Sequence, residues 1–418
     1  MNLKHWEVKD NMGLRAVNNN SEITKSGIPM AYDEENLYIN SGNNHTLVIG
    51  STGSGKTQVM TLPLLELSRR AGESVVVHDT KNELYDSTAE KFKESGYNII
   101  KLNFDDARES NSWNPLELPN RLFKEGNVDK SQDLIEDLGF YLLNELTEVN
   151  SDPFWSNSAI SYFTGLVLYL FNNEESVSLT NIKDLDIKVQ ENPEEFIKGI
   201  DKYSNIYTYL SSILNAPPET RGSIFSVFSQ KIKRYISKNN LLNILSKNDF
   251  DISLISKEKT IIYIQTGNSN NSERLMPLLI SQVYYAKDEY SEKDGLINII
   301  IDDFFNFYPF KDFGKMLNYS RGINIAFTIM IRGFNDLENC YGKEVTNIIK
   351  LCFNNIIYLL SQDIATLEEF SRLCGKVEDK PLITFEELKT LSIFEAIILT
   401  PRSMPFRTKL LPYYQMKI

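Results

Sequence analysis

Thr46-Leu47-Val48-Ile49-Gly50-Ser51-Thr52-Gly53-Ser54-Gly55-Lys56-Thr57 is the stretch on which the fold turns. Its first four residues are apolar or β-branched and read as a strand. Gly50 to Thr57 match GxxxxGK[ST] in full, and a helical pattern follows from Thr57 to Ala71. A strand, a glycine-rich turn and a helix in that order make a phosphate-binding loop, or P-loop. The glycines Gly50, Gly53 and Gly55, with Ser51, Thr52 and Ser54 between them, let backbone N–H groups curl around β- and γ-phosphates. The helix N-terminus adds a partial positive charge and Lys56 a full one. Thr57 offers a hydroxyl to a metal ion. ATP and Mg²⁺ are the expected ligands, and hydrolysis is the expected chemistry. A chance glycine-rich turn would need neither the strand nor the helix.

Outward from this stretch the α/β rhythm continues. Ser74 to His78 and Asn98 to Leu102 read as strands, and Gly72 stands where a left-handed helix cap is wanted. From Thr260 the rhythm returns, with strand candidates at Ile261–Ile264, Leu296–Ile301, Ile323–Ile331, Asn355–Leu360 and Ala396–Thr400. Strands separated by helices imply right-handed crossovers and a mainly parallel, doubly wound sheet of about eight strands. The expected fold is α/β, a RecA-like P-loop domain.

Between the two α/β stretches the pattern changes to a period of 3.6. Leu134, Leu138, Leu142 and Leu146 share one helix face, and so do Phe225, Phe228, Ile232 and Ile236. Asp152-Pro153 reads as an N-cap followed by proline at the first helical position. Residues 113–250 are therefore expected to form an all-helical domain, inserted into a nucleotide-binding domain of residues 1–112 and 251–418. The segment Asn268 to Ser272 reads as a loop.

A P-loop needs carboxylates to hold its metal. Asp302-Asp303 ends the apolar run Leu296 to Ile301, so a strand would deliver both acids to the edge where the phosphates lie. Asp302 is expected to hold Mg²⁺ through water and Asp303 to orient or deprotonate the attacking water. An acidic cap after a core strand is the plainer alternative.

Composition narrows the rest. Lys plus Arg number 44 against 56 Asp plus Glu, for a formal charge of −12. That excess of acid argues against phosphate contacts over the whole surface, though a channel needs positive charge only where a strand passes. Three cysteines, Cys340, Cys352 and Cys374, and three histidines, none in metal-ligand spacing, exclude a zinc site and a disulfide framework. The first twenty residues hold no apolar core, and the longest apolar run, Ser158 to Phe171, is shorter than the roughly 20 residues that cross a bilayer. It reads as a buried helix, and the chain as cytoplasmic with no transmembrane segment. Lys231, Lys233, Arg234 and Lys238 read first as a solvated helix face and second as a DNA-facing surface.

The order of short motifs resembles the type IV coupling proteins of bacterial conjugation, the TraG-like proteins of the FtsK/HerA branch of P-loop motors. The motifs are the P-loop, Val75 to Leu84 (VVVHDTKNEL, matching at Asp79, Lys81 and Glu83), Ser112-Trp113-Asn114-Pro115-Leu116 and Asp152-Pro153-Phe154-Trp155. Arg221-Gly222-Ser223-Ile224 and Leu337 to Gly342 complete the series. The resemblance implies an ATPase that receives single-stranded DNA with its bound relaxase and feeds it to type IV secretion channel proteins. It also implies a homo-hexamer in which Arg321 completes a neighbouring subunit's site, its guanidinium neutralising charge on the γ-phosphate; a surface arginine in a turn is the alternative. Two departures stand out. Transmembrane helices are expected in the family and not seen here, so the chain would sit peripherally at the inner face of the membrane through a separate anchor protein, and would be monomeric when free. Where a Gln-Ser pair is expected, Arg332-Gly333 stands, and Arg332 is a candidate phosphate contact. Two other functions compete: a soluble DNA pump outside conjugation, and a nucleotide-switched recruitment platform for protein substrates.

Overall fold

A computed structural model describes residues 13–144, 152–174, 176–266, 272–290 and 295–416 of the 418-residue chain. Leu146 and all but the last residue of the expected loop at 268–272 lie outside the described residues. The chain forms two compact units, one of residues 1–100, 253–264 and 287–418, the other of residues 101–252 and 265–286.

The strands in chain order are β1 Arg15–Val17, β2 Gly27–Tyr32, β3 Leu37–Ser41, β4 Thr46–Gly50, β5 Ser74–His78, β6 Asn98–Asn103 and β7 Thr260–Gln265. They continue with β8 Ile297–Ile301, β9 Ile325–Ile331, β10 Asn355–Leu360, β11 Lys376–Val377, β12 Lys380–Pro381, β13 Glu395–Leu399 and β14 Phe406–Lys409. Nine of them form one sheet in the order β14-β13-β10-β4-β9-β8-β5-β7-β6. From β10 through β7 every pairing is parallel, and β13 and β14 add an antiparallel margin. Every residue of β4, β5, β7, β8 and β9 is buried, as a parallel sheet covered on both faces requires. The expected fold class holds, and the expected Gly72 cap is left-handed (φ 73°) with its N–H on Arg69 O and Ser68 O.

The sequence reading misses the three-stranded sheet β1-β3-β2. Pro29 interrupts β2, and the pairing with β3 shifts register between Pro29 and Ala31, so the alternation that marks a strand is broken. β14 is missed as well, a four-residue strand with Arg407 and Lys409 in it.

In the other unit, the described part of 113–250 contains helices and no strand, including Val128–Leu143, Pro153–Asn173 and Pro218–Ile236. Asp152 caps the second of these, its carboxylate accepting the Phe154 N–H at 2.9 Å. Leu134, Leu138 and Leu142 are buried along one face. The unit also takes in residues 265–286, well beyond the stretch with helical periodicity. The reason lies in buried polar contacts. Gln282 on the helix Ser272–Tyr290 receives the Trp113 indole N–H at 3.3 Å and donates to Pro115 O at 2.6 Å. Arg274 on the same helix donates to Tyr141 O and Asn144 O. One basic residue is corrected: Lys231 is not on the solvated face with Lys233 and Arg234, but is buried with its ammonium 2.9 Å from Ser156 Oγ.

Candidate functional site

β4 ends at Gly50, and the chain turns through Ser51–Gly55 before a helical segment that opens as a π-turn, Thr57–Thr61, and continues as the α-helix Leu62–Ala71. Gly53 (φ 82°) and Gly55 (φ 89°) take left-handed backbone that only glycine adopts without strain. Gly50 has another reason: a β-carbon there would stand 2.5 Å from Ser54 Oγ and 2.8 Å from Lys56 Cγ. The loop is anchored to the next strand by Ser51 N–H donating to Leu360 O at 2.8 Å.

Beside the loop lies a cleft of about 300 Å³. Ser51, Thr52, Gly53, Gly55, Lys56 and Thr57 line one wall; Gly50 and Ser54 are buried and are not among the lining residues. Asp302 and Asp303 line the wall that β8 delivers. A third wall comes from the end of β5, with His78, Asp79, Thr80 and Lys81. These residues were read in the sequence as a motif but not as part of the site. The strand order β4-β9-β8-β5 explains both why they belong and why the sequence hides it: neighbours in a parallel sheet share a carboxyl edge, but adjacency is fixed by tertiary pairing.

The third wall is held in place from behind. Asp79 is buried and accepts the N–H groups of Leu84 (3.1 Å) and Tyr85 (2.8 Å), fixing the start of the helix Glu83–Glu94. Burial pushes its carboxyl pKa up, while those two hydrogen bonds pull the other way. His78, also buried, has Nδ1 2.8 Å from the Asp302 carbonyl oxygen and its ring edge-on to Phe307. Burial lowers its pKa to about 4, so at neutral pH the ring is uncharged and Nδ1–H donates to that carbonyl. The β5 wall thus grips the β8 wall just below the acids. Asp302 accepts the Asp303 N–H at 2.9 Å, and Asp303 is itself left-handed (φ 49°). Burial raises the Asp302 carboxyl, opposed by Lys56 and reinforced by Asp303.

The donor set fits a phosphate and a divalent cation. Lys56 is 8% exposed, and its ammonium rests on Gly50 O at 2.7 Å, a neutral acceptor that an anion outcompetes. The hydroxyl oxygens of Ser51 and Ser54 are buried without a hydrogen-bond partner. Two carboxylates face this cationic loop across the cleft.

Two arginines singled out in the sequence are not in the cleft. Arg332 follows β9 at the same edge of the sheet, but its guanidinium pairs with Asp336 at 2.9 Å and lies over the Phe305 ring at 3.4 Å. Arg321 is exposed on the turn Arg321–Ile323 before β9, at the opposite edge. The seven residues of β9 span roughly 20 Å at about 3.3 Å each, so Arg321 cannot reach its own chain's P-loop. Its carbonyl is pinned by the Asn43 side chain at 2.8 Å, and His45 Nε2 contacts Leu317 O at 2.7 Å on the preceding helix.

Sheet order, loop and acid pair together define a RecA-like P-loop nucleotide-binding domain. The sequence profile of the type IV secretory system conjugative DNA transfer family matches residues 5–378, nearly the whole chain, and the chain belongs to that family. Among solved structures, the bacterial conjugative coupling protein TrwBΔN70, crystallised with sulphate, superposes with a TM-score of 0.66 at 15% identity, covering 89% of this chain and 86% of that one. The plasmid coupling protein TrwB in complex with the non-hydrolysable ATP analogue ADPNP gives 0.65 at 15% identity, over 89% and 86%. VirB4 of Thermoanaerobacter pseudethanolicus gives 0.61 at 12% identity, over 94% and 98%. No curated protein matches the chain. Among the described residues no helix is long and apolar enough to cross a membrane.

Proposed function

We propose that this chain is an ATP-driven coupling protein that recruits single-stranded DNA with its bound relaxase and passes it to type IV secretion channel proteins during conjugation. The observation that carries the reading is the cleft, where a complete P-loop meets two carboxylates from β8 in a chain of the conjugative DNA transfer family. TrwB, similar in fold, has been solved with an ATP analogue and with ADP and Mg²⁺, which supports the same ligands here.

In this reading Lys56 and the loop N–H groups hold the phosphates, and Thr57 and Asp302 hold the cation, Asp302 through water. Mg²⁺ supplies charge neutralisation on the phosphoryl oxygens when bound. Asp303 orients the attacking water or accepts its proton. Arg321 acts on a neighbouring subunit's site, because its own is out of reach, so the active species is a homo-oligomer, a hexamer by analogy with the family. The units of residues 113–250 and of 1–112 with 251–418 are proposed as the inserted helical and nucleotide-binding domains. The chain works at the inner face of the membrane, attached through a partner.

The test is ATPase rate per chain, with and without single-stranded DNA, across protein concentration. The reading expects DNA stimulation and a rate that climbs as subunits assemble. A rate that stays flat with concentration and ignores DNA would instead favour a nucleotide-switched recruitment platform.

A further inference from the structure

Phe394, immediately before β13, stands in an unusual backbone conformation. It is left-handed (φ 66°), a conformation that bulky side chains rarely adopt and that marks a functional constraint when the surroundings enforce it. Here they do. The Phe394 carbonyl accepts the Leu410 N–H at 2.8 Å, and the next residue, Glu395, is paired with Arg407 at 2.6 Å. This turn aims the ring at the P-loop: a β-carbon built on Gly55 would lie 2.7 Å from Phe394 Cε1 and 3.0 Å from Cδ1. The ring is only partly buried, and Ile393 before it is 63% exposed. Phe394 packs in part on the apolar core of the sheet and, with exposed Ile393, leaves aromatic and apolar surface accessible at the rim of the phosphate-binding loop.

Its position along the rim gives it a role. The acids end β8, on one side of β4, with β9 between; β10 and β13 lie on the other side. Because β13 runs antiparallel to β10, its first residues stand at the carboxyl edge, where the P-loop is (Ile49↔Tyr358↔Ile397). A nucleotide with its terminal phosphoryl group toward Asp302 and Asp303 directs its nucleoside toward the β10–β13 side. We infer that Phe394 is the stacking platform for the nucleobase, and that it takes purine bases without distinguishing adenine from guanine. A phenyl face binds by π-stacking and carries no hydrogen-bonding edge with which to choose. The inference rests on the reading that the P-loop binds a nucleoside triphosphate.

The experiment measures binding of MgATP, MgGTP and Mg²⁺-tripolyphosphate to the full chain by calorimetry. Phe394→Ala is expected to weaken ATP and GTP about tenfold each, the effect of losing one base-stacking contact. Tripolyphosphate, which has no base, should change less than twofold, and Phe394→Trp should restore nucleotide affinity. Phe394→Leu keeps apolar bulk against Gly55 without an aromatic face, so it should lose nucleotide affinity and retain tripolyphosphate even if the alanine variant folds poorly. Equal weakening of tripolyphosphate would overturn the proposal, since the ring would then only brace Gly55, and so would unchanged ATP affinity. A wild-type chain that binds none of the three ligands would instead overturn the P-loop reading itself.

Discussion

At the carboxyl edge of the large sheet, three walls meet around one cleft and bring Lys56, Lys81, Asp302 and Asp303 together. At the amino edge, about 20 Å away along β9, the Arg321 guanidinium stands in solvent on a three-residue turn. The carboxyl edge resembles a finished binding site, its loops tied down by Asp79 and His78. The amino edge has the opposite economy: the backbone of Arg321 is fixed by Asn43, and its side chain is left exposed. On the function proposed above, the contrast separates the groups that bind nucleotide from the one that acts on a neighbour's turnover, at opposite edges of one subunit. The cleft residues face one another at the carboxyl edge, while Arg321 stands exposed at the amino edge, out of reach of its own chain's P-loop.

The comparison breaks first at Lys56. Lys56→Ala should abolish detectable phosphate release while the circular dichroism spectrum is unchanged, and Asp302→Asn should do the same to Mg²⁺-dependent turnover; residual turnover near wild type would move the chemistry elsewhere. Arg321→Ala is expected to lower turnover about 10³-fold with ATP affinity intact, because its charge matters in the transition state. Mixing it with Lys56→Ala subunits should recover part of the rate, since a subunit with a dead P-loop still carries its arginine. Failure of that complementation would place Arg321 outside the chemistry. Asp303→Asn should slow turnover by about 10² with a smaller change in binding, as a base acts on the barrier and a metal ligand on the ground state.

The smallest effect concerns stability, and each edge carries its own probe. His45 at the amino edge and His78 at the carboxyl edge are both buried, and burial lowers each pKa to about 4. His45 Nδ1 accepts the Phe327 N–H, so its neutral ring donates from Nε2 to Leu317 O. The unfolded chain, with pKa near 6.5, binds more protons than the fold between pH 6.5 and 4. Stability should therefore be full above about pH 6.5, fall as pH drops, and level off below about 4, by up to about 3 kcal/mol per histidine. Chemical denaturation of His45→Gln and His78→Gln across that range should each show a flatter profile. Only His78→Gln should also weaken ATP binding, since only His78 holds the Asp302 carbonyl.

Much of this was legible in the chain because the signals were local. The P-loop announces itself in twelve consecutive residues, and Ile297–Ile301 followed by two aspartates needs no partner to be read. What was hidden depends on pairing. The β5 wall joins the site only because β8 happens to lie beside β5, and Phe394 only because β13 runs antiparallel at the far side of β10. The helix Ser272–Tyr290 has an ordinary amphipathic pattern, and its place in the helical unit is set by Gln282 meeting Trp113 across 169 residues. Lys231 misled because its charge was counted without its stem, which reaches inward to Ser156.

β4 also carries a consequence for how the protein is made. The strand is buried along its whole length, yet its two neighbours come late: Asn355 of β10 meets Thr46 across 309 residues, and Phe327 of β9 meets His45 across 282. At ribosomal speeds of about 5–20 residues per second, roughly 15–60 s pass between emergence of that strand and arrival of the partners that cover it. During that interval Leu47, Val48 and Ile49 present an uncovered apolar ribbon in the nascent chain, and the residues of 101–252 leave the ribosome before it can close. Synthesis of this chain should therefore lean on ribosome-associated chaperones, and truncations that stop short of β10 should aggregate, not fold.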